Sequence, residues 1–117
     1  MKKQSWAFSF RCALNGIFYA LSTQRNMRVH ALMTLVVLGW GWYFSISRLE
    51  WVALILTIGM VLTAELINTA LEKAVDLITL KRHPLAGLAK DLAAGAVLVT
   101  AIIAVIVGVL IFFPYLR

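Results

Sequence analysis

Apolar and polar residues alternate along this chain in long blocks, and the blocks have helical rather than strand lengths. Trp6, Phe10, Ala13, Leu14, Ile17, Phe18 and Leu21 recur at helical spacing, while Gln4, Arg11, Asn15 and Ser22 fall on one narrow face. The spacing predicts an amphipathic helix over about residues 5–22, of the kind that lies along a membrane interface. A helix packed within a bundle is the competing reading. A basic, polar segment follows, Ser22-Thr-Gln-Arg-Asn-Met-Arg-Val-His30. Residues Ala31 to Ile46 are then almost wholly apolar. With Val29 and His30 they predict a first span over about 29–46, slightly short of the ~20 residues that cross a bilayer. Trp40, Trp42 and Tyr43 near its end suit the headgroup level.

Ser45 to Glu50 reads as a short turn. A second helix opens at Trp51, stays apolar to Ala64 and keeps its helical pattern to about Ile78. Lys81-Arg82-His83-Pro84 ends it, because Pro84 and the residue before it both resist helix. Residues 85–91 are mixed, and a third span is predicted from Leu92 to Phe113, closed by Pro114. The fold class expected is an all-α membrane protein: three transmembrane helices plus an N-terminal interface helix, in one domain over 1–117.

Composition sharpens this picture. The 117 residues are 62% hydrophobic and only 14% charged. A chain so short cannot hide that much apolar surface in its own core, so lipid is the expected solvent. The net charge of +6 does not argue for nucleic acid, because the basic residues sit in short segments between apolar runs. Lys2, Lys3, Arg11, Arg25 and Arg28 precede the first span, and Lys81, Arg82 and Lys90 lie between the second and third. Only Arg48 and Arg117 lie on the other side. The positive-inside bias puts the N-terminus and the 79–91 loop in the cytoplasm of a cell-membrane protein. The single cysteine, Cys12, allows no intrachain disulfide. No cleavable signal peptide is expected, since Ser9, Arg11 and Asn15 interrupt the first apolar stretch.

The second helix carries the anomaly. Glu65, Asn68, Glu72 and Asp76, spaced 3, 4 and 4, line one face. Glu65 is the deepest, some four turns from the Lys81-Arg82 boundary, where an ionisable group is costly unless it faces protein, water or a cation. Polar glue between helices would explain one such residue. Three acids of one sign repel and need something positive: Lys73, Lys90 or a divalent cation. Carboxylates with an amide oxygen are hard ligands suited to Mg²⁺.

Lys90-Asp91, at the expected start of the third span, is a place where phosphate could dock on a helix N-terminus. Small residues surround it, from Ala86 and Gly87 to Ala93, Ala94, Gly95 and Ala96; they permit close approach of a helix or a ligand, and packing alone explains them equally well. No Walker A motif, kinase glycine loop, Cys/His cluster or serine elbow is present. His30 reads as an interface residue. His83, beside Lys81 and Arg82, reads either as a phosphate contact or as part of a solvated loop.

The run Ala64-Glu-Leu-Ile-Asn-Thr-Ala-Leu-Glu-Lys-Ala-Val-Asp76, followed by Ala89-Lys-Asp-Leu-Ala-Ala-Gly-Ala-Val97, resembles the small prokaryotic membrane kinases that phosphorylate diacylglycerol or undecaprenol. Length, number of spans and their order agree over nearly the whole chain. The resemblance implies a homotrimer with active sites shared between subunits. It implies ATP-dependent phosphorylation of a lipid alcohol, with Mg²⁺ accompanying ATP. Carried onto this chain, Glu65 matches the general base and touches the lipid, and Ala94 lies at the lipid position. Glu72 matches a Mg²⁺-nucleotide ligand. Lys90, Asp91 and the loop residues Lys81, Arg82 and His83 match nucleotide contacts, and Asn68 and Asp76 match supporting positions. The chain departs from part of the family at Gln24, where a metal-binding Glu stands: the amide keeps an oxygen ligand, to metal or nucleotide, and loses the charge. Arg25-Asn-Met-Arg-Val-His30 resembles the undecaprenol branch. The alternatives are a diacylglycerol kinase, a cation-conducting oligomer that would leave Lys90-Asp91 unexplained, and a purely structural subunit.

Overall fold

A computed structural model describes residues 5–117 and holds four helices, with no strand among the described residues. The expectations placed on Lys2, Lys3 and Gln4 lie outside the described residues. Helix α1 spans Trp6–Thr23, capped by Ser5, whose hydroxyl accepts from the Phe8 amide at 3.1 Å. It leaves Trp6, Phe10 and Phe18 exposed, which suits a helix that lies against lipid.

Helix α2 is Arg25–Tyr43. Gln24 alone separates it from α1, in an extended conformation (φ −106°, ψ 115°). The polar segment read between Ser22 and His30 is therefore helical from Arg25 on, not a linker. It holds no Gly or Pro to stop a helix, and Met27 is buried and anchors its first turn. At its other end α2 closes early, at Tyr43. The Ile46 N–H donates to the Gly41 carbonyl at 3.1 Å and the Ser45 N–H to Trp42 at 3.3 Å, with Ser45 at φ 52°. This is a Schellman turn with serine where glycine is usual.

Helix α3, Arg48–Ile78, starts three residues before the expected Trp51. Ser47 and Glu50 form a capping box: the Glu50 amide donates to Ser47 Oγ at 3.2 Å and the Ser47 amide to Glu50 Oε1 at 2.9 Å. Helix α4, Pro84–Leu116, likewise starts eight residues before the expected Leu92. Pro84 takes the first helical position, where its missing N–H costs nothing, and His83 Nδ1 accepts from the Leu85 amide at 3.1 Å. Pro84 thus opens a helix as well as ending the preceding one. Lys90 and Asp91 consequently lie nearly two turns inside α4, and their reading as a helix N-terminal phosphate site is corrected. Pro114 is tolerated within the last turn of α4.

Helices α3 and α4 pack along each other, with α2 against α3 and α1 across the end of both α2 and α3. The core lies at the end away from α1: Ile46, Leu54, Ile111 and Phe112, packed by Val37, Phe44 and Trp51. Trp40 meets Phe112 edge-on at 5.7 Å, and the Tyr115 hydroxyl donates to Glu50 Oε1 at 2.6 Å. Aromatic rings with one polar edge are what a headgroup layer favours.

The chain exposes 9199 Å², against about 6,300 Å² for a soluble monomer of its mass. Its radius of gyration, 17.3 Å, exceeds the ~13 Å of a compact globule of this length. Much of the excess is Leu, Ile and Val on α3 and α4, such as Leu56, Val105 and Leu110. Both helices are long and apolar enough to cross a bilayer, so the apolar surface faces lipid and the chain is a membrane protein. Helix α2 carries Arg25, Arg28 and His30 in its first turns and falls short of that measure.

Gly41 is the close-packed point of the aromatic end: a Cβ there would stand 2.8 Å from the Trp51 ring. Gly41→Val should cost about 1–3 kcal/mol by overpacking, whereas Gly39→Ala, with open space around it, should be neutral or mildly stabilising. Thermal unfolding in detergent compares the two; equal midpoints would contradict the packing.

Candidate functional site

The face of α3 opposite the lipid becomes progressively more polar toward its C-terminus. Glu65 is 2% exposed and Asn68 and Thr69 are also buried, whereas Glu72 and Asp76 are half-buried. At 1.5 Å per residue, Glu65 and Asp76 are about 16 Å apart along the axis. The stripe predicted from spacing is therefore one continuous face, running from a dry region to a wet one.

Each acid finds a different environment. Lys90 Nζ on α4 lies 2.7 Å from Asp76 Oδ1 and donates to it, with both side chains 41% exposed. Glu72 Oε1 accepts from the Asn68 amide at 2.9 Å. The Asn68 carbonyl oxygen is buried without a hydrogen-bond partner. Glu65 Oε2 is buried and unpartnered too, with His30 Nε2 of α2 at 3.7 Å. The Glu65 main-chain carbonyl accepts from the Thr69 hydroxyl at 3.0 Å.

The positive groups therefore sort themselves. Lys90 pairs with Asp76 as one of the expected neutralisers. Lys73 lies over the Tyr19 ring, 5.5 Å from its centroid, fastening α1 to α3, and makes no ion pair with the acids within 4 Å. Among the described residues, Glu72 is then the stripe member whose partner is a neutral amide. Burial of the Asn68 amide and the fixed Glu72 Oε1 leave an open carboxylate edge with hard-oxygen chemistry. No three His, Cys, Asp or Glu side chains gather to hold a metal among the described residues. The donor set fits Mg²⁺, which keeps several waters and phosphate oxygens and needs only one or two carboxylates.

Among the described residues, the remaining predicted residues make no hydrogen bond or ion pair to this face. Gln24 sits half-buried at the α1–α2 break, its amide donating to Thr23 Oγ1 at 3.5 Å. Lys81, Arg82 and His83 are exposed in the short α3–α4 connection, with His83 engaged as the α4 cap. Asp91 and Ala94 are exposed on α4. A groove of about 690 Å³ runs between α3 and α4, lined by Ala64, Asn68, Leu71, Ala93 and Ala96. Of the small residues around Lys90, Ala93 and Ala96 line it, with Thr100 on the same helix. His30 and Tyr19 are the residues that spacing did not bring to this site. Both lie on other helices, and only the depth of His30 in α2 could have signalled its meeting with Glu65.

A long apolar helical pair whose polar face gathers acids, an amide and a lysine toward one end has the build of a membrane enzyme. The chain belongs to the prokaryotic diacylglycerol kinase family, whose family model matches residues 11–112, and it is a lipid kinase. It is 49% identical over 108 residues to an undecaprenol kinase of Bacillus subtilis, covering 92% of this chain and 88% of that protein. It is 42% identical over 121 residues to a diacylglycerol kinase of Synechocystis sp., covering 97% and 69%. Against a diacylglycerol kinase of Escherichia coli it is 38% identical over 82 residues, covering 70% and 65%.

Proposed function

We propose that this protein transfers the γ-phosphoryl group of ATP to the hydroxyl of undecaprenol, giving undecaprenyl phosphate. The observation that carries the chemistry is the graded stripe: a buried carboxylate with an unpartnered oxygen, two turns from a half-buried carboxylate held only by an amide. The 49% identity to an undecaprenol kinase and the Arg25–His30 segment favour that lipid. A second reading, phosphorylation of diacylglycerol to phosphatidic acid, draws on the family description and the Synechocystis relative.

In this reading Glu65 receives the alcohol proton as the lipid oxygen forms its bond to the γ-phosphorus and the bond to the β–γ bridging oxygen breaks, releasing ADP. Glu72 and Gln24 would hold Mg²⁺, which supplies charge neutralisation at the phosphates. Lys90, Asp91, Lys81, Arg82 and His83 contact nucleotide, Asn68 and Asp76 keep the acids in place, and Ala94, small and exposed on α4, leaves room for the lipid. Lys90 would act while its other partner, Asp76, orients its ammonium.

We place α1 in the interface and α2, α3 and α4 across the bilayer, three subunits forming a homotrimer. The large exposed surface and the polar start of α2 support burial against further copies. The termini and connections orient by charge: Arg11, Arg25, Arg28, Lys81, Arg82 and Lys90 on the cytoplasmic side, Arg48 and Arg117 opposite.

Purified protein given ATP, Mg²⁺ and each lipid in mixed micelles should phosphorylate undecaprenol faster than diacylglycerol, read by thin-layer chromatography; the reverse preference overturns the substrate choice. Glu65→Gln should keep the assembly and lose at least about 100-fold in kcat. Full turnover in that variant removes Glu65 from the chemistry. Glu72→Ala should weaken Mg²⁺-nucleotide binding about tenfold or more in calorimetric titration, since loss of even an outer-shell partner of a metal ligand costs about 10–100-fold; an unchanged isotherm removes Glu72 as the ligand.

A further inference from the structure

We propose that His30 is a positioning residue for Glu65, its neutral imidazole donating Nε2–H to the buried Oε2 and fixing the plane of the carboxylate. The inference deepens the kinase reading and rests on it, in that it assigns a partner to the carboxylate proposed as base. Two observations meet here. Glu65 Oε2 is buried with no hydrogen-bond partner, and His30 Nε2 stands 3.7 Å from it. Among the described residues the imidazole in turn makes no hydrogen bond of its own; its main-chain carbonyl accepts from Thr34. Two unsatisfied groups on different helices, α2 and α3, thus face each other across a gap about 0.5–1 Å wider than a hydrogen bond.

Catalytic hydrogen bonds are commonly long before substrate arrives and tighten in the complex. The surroundings leave little competition. His30 is 21% exposed and lines an apolar groove of about 490 Å³ with Met33, Val37, Val61 and Ala101. Of the charged groups on the stripe, Glu72 lies two turns along α3 and is held by the Asn68 amide. Lys90 of α4 is engaged by Asp76, and Lys73 by Tyr19 of α1. A neutral imidazole has one donor, and donation from Nε2 sets its tautomer. With Oε2 so held, the other oxygen remains to receive the alcohol proton, and a carboxylate kept from rotating meets the hydroxyl in one orientation.

The test uses the full-length protein in micelles with ATP, Mg²⁺ and the preferred lipid. His30→Leu should lower kcat by 10–100-fold with KM for ATP unchanged. His30→Gln, whose amide nitrogen reaches the Nε2 position, should stay within about threefold of the wild type. Equal losses in the two variants, or no loss in His30→Leu, overturn the proposal. In a Glu65→Gln background, His30→Leu should add no further loss; an undiminished loss overturns it. Nitrogen NMR of histidine-labelled protein, with His83→Asn to leave one imidazole, reads the contact without activity: the His30 Nε2 resonance should move on Glu65→Gln, and a fixed resonance overturns the proposal even where His30→Leu fails to assemble. Failure of the base reading looks different, since Glu65→Gln would then turn over normally whatever His30 does.

Discussion

A carboxylate buried in a lipid-crossing helix is the constraint to which the rest of this structure answers. Glu65 is 2% exposed, and an ionisable group at that depth costs several kcal/mol unless other groups accommodate it. That accommodation needs a second helix close by with a polar atom at the same depth. Helix α2 supplies it because it resumes after a single extended residue, Gln24. The resulting offset brings His30 level with Glu65, about 8 Å into α2 from Arg25. A longer linker, as the polar composition of 22–30 suggested, would have moved His30 out of reach.

Helix length then explains why the stripe is graded. The 31 residues of α3 make about 46 Å, against a hydrocarbon core of about 30 Å. Some ten residues must therefore lie beyond the hydrocarbon, and the capping box at Ser47–Glu50 sets the opposite end at the aromatic layer. A span of about 20 residues counted from that end takes in Glu65 near its limit and leaves Glu72 and Asp76 beyond it. Helix α4 overshoots to the same side, which is what puts Lys90 beside Asp76. One register thus gives a buried acid at Glu65 and half-exposed acids at Glu72 and Asp76.

The elements were legible in the sequence and several of their ends were not. The apolar blocks, the interface helix and the acid stripe follow from spacing, which is a local property. The early start of α4 was missed because Pro84 was weighed only as a terminator, although proline is equally at home in the first turn of a helix. The start of α2 was missed because Arg25 and Arg28 read as part of a polar segment ahead of the span, whereas long basic side chains on a helix end reach water while their stems pack. Within the site, Glu65, Asn68 and Glu72 came from periodicity. The meeting of Asp76 with Lys90, fourteen residues on, and of Glu65 with His30 depends on how helices are offset, and no spacing within one helix carries that information.

The offset also decides which acid is left for a cation. Three carboxylates on one face repel, and uniform neutralisation by lysines would have made the stripe a structural seam. The chain instead spends Lys90 on Asp76 and turns Lys73 to Tyr19, so that α1 is held to α3 by the charge that could have silenced Glu72. The amide of Asn68 orders Glu72 without discharging it. A carboxylate kept ordered, half-exposed and uncompensated is an arrangement that a folded protein tolerates at the boundary of lipid and water. Two turns deeper the carboxylate of Glu65 has no such access to water, and the polar group that faces it is the imidazole of His30 at 3.7 Å.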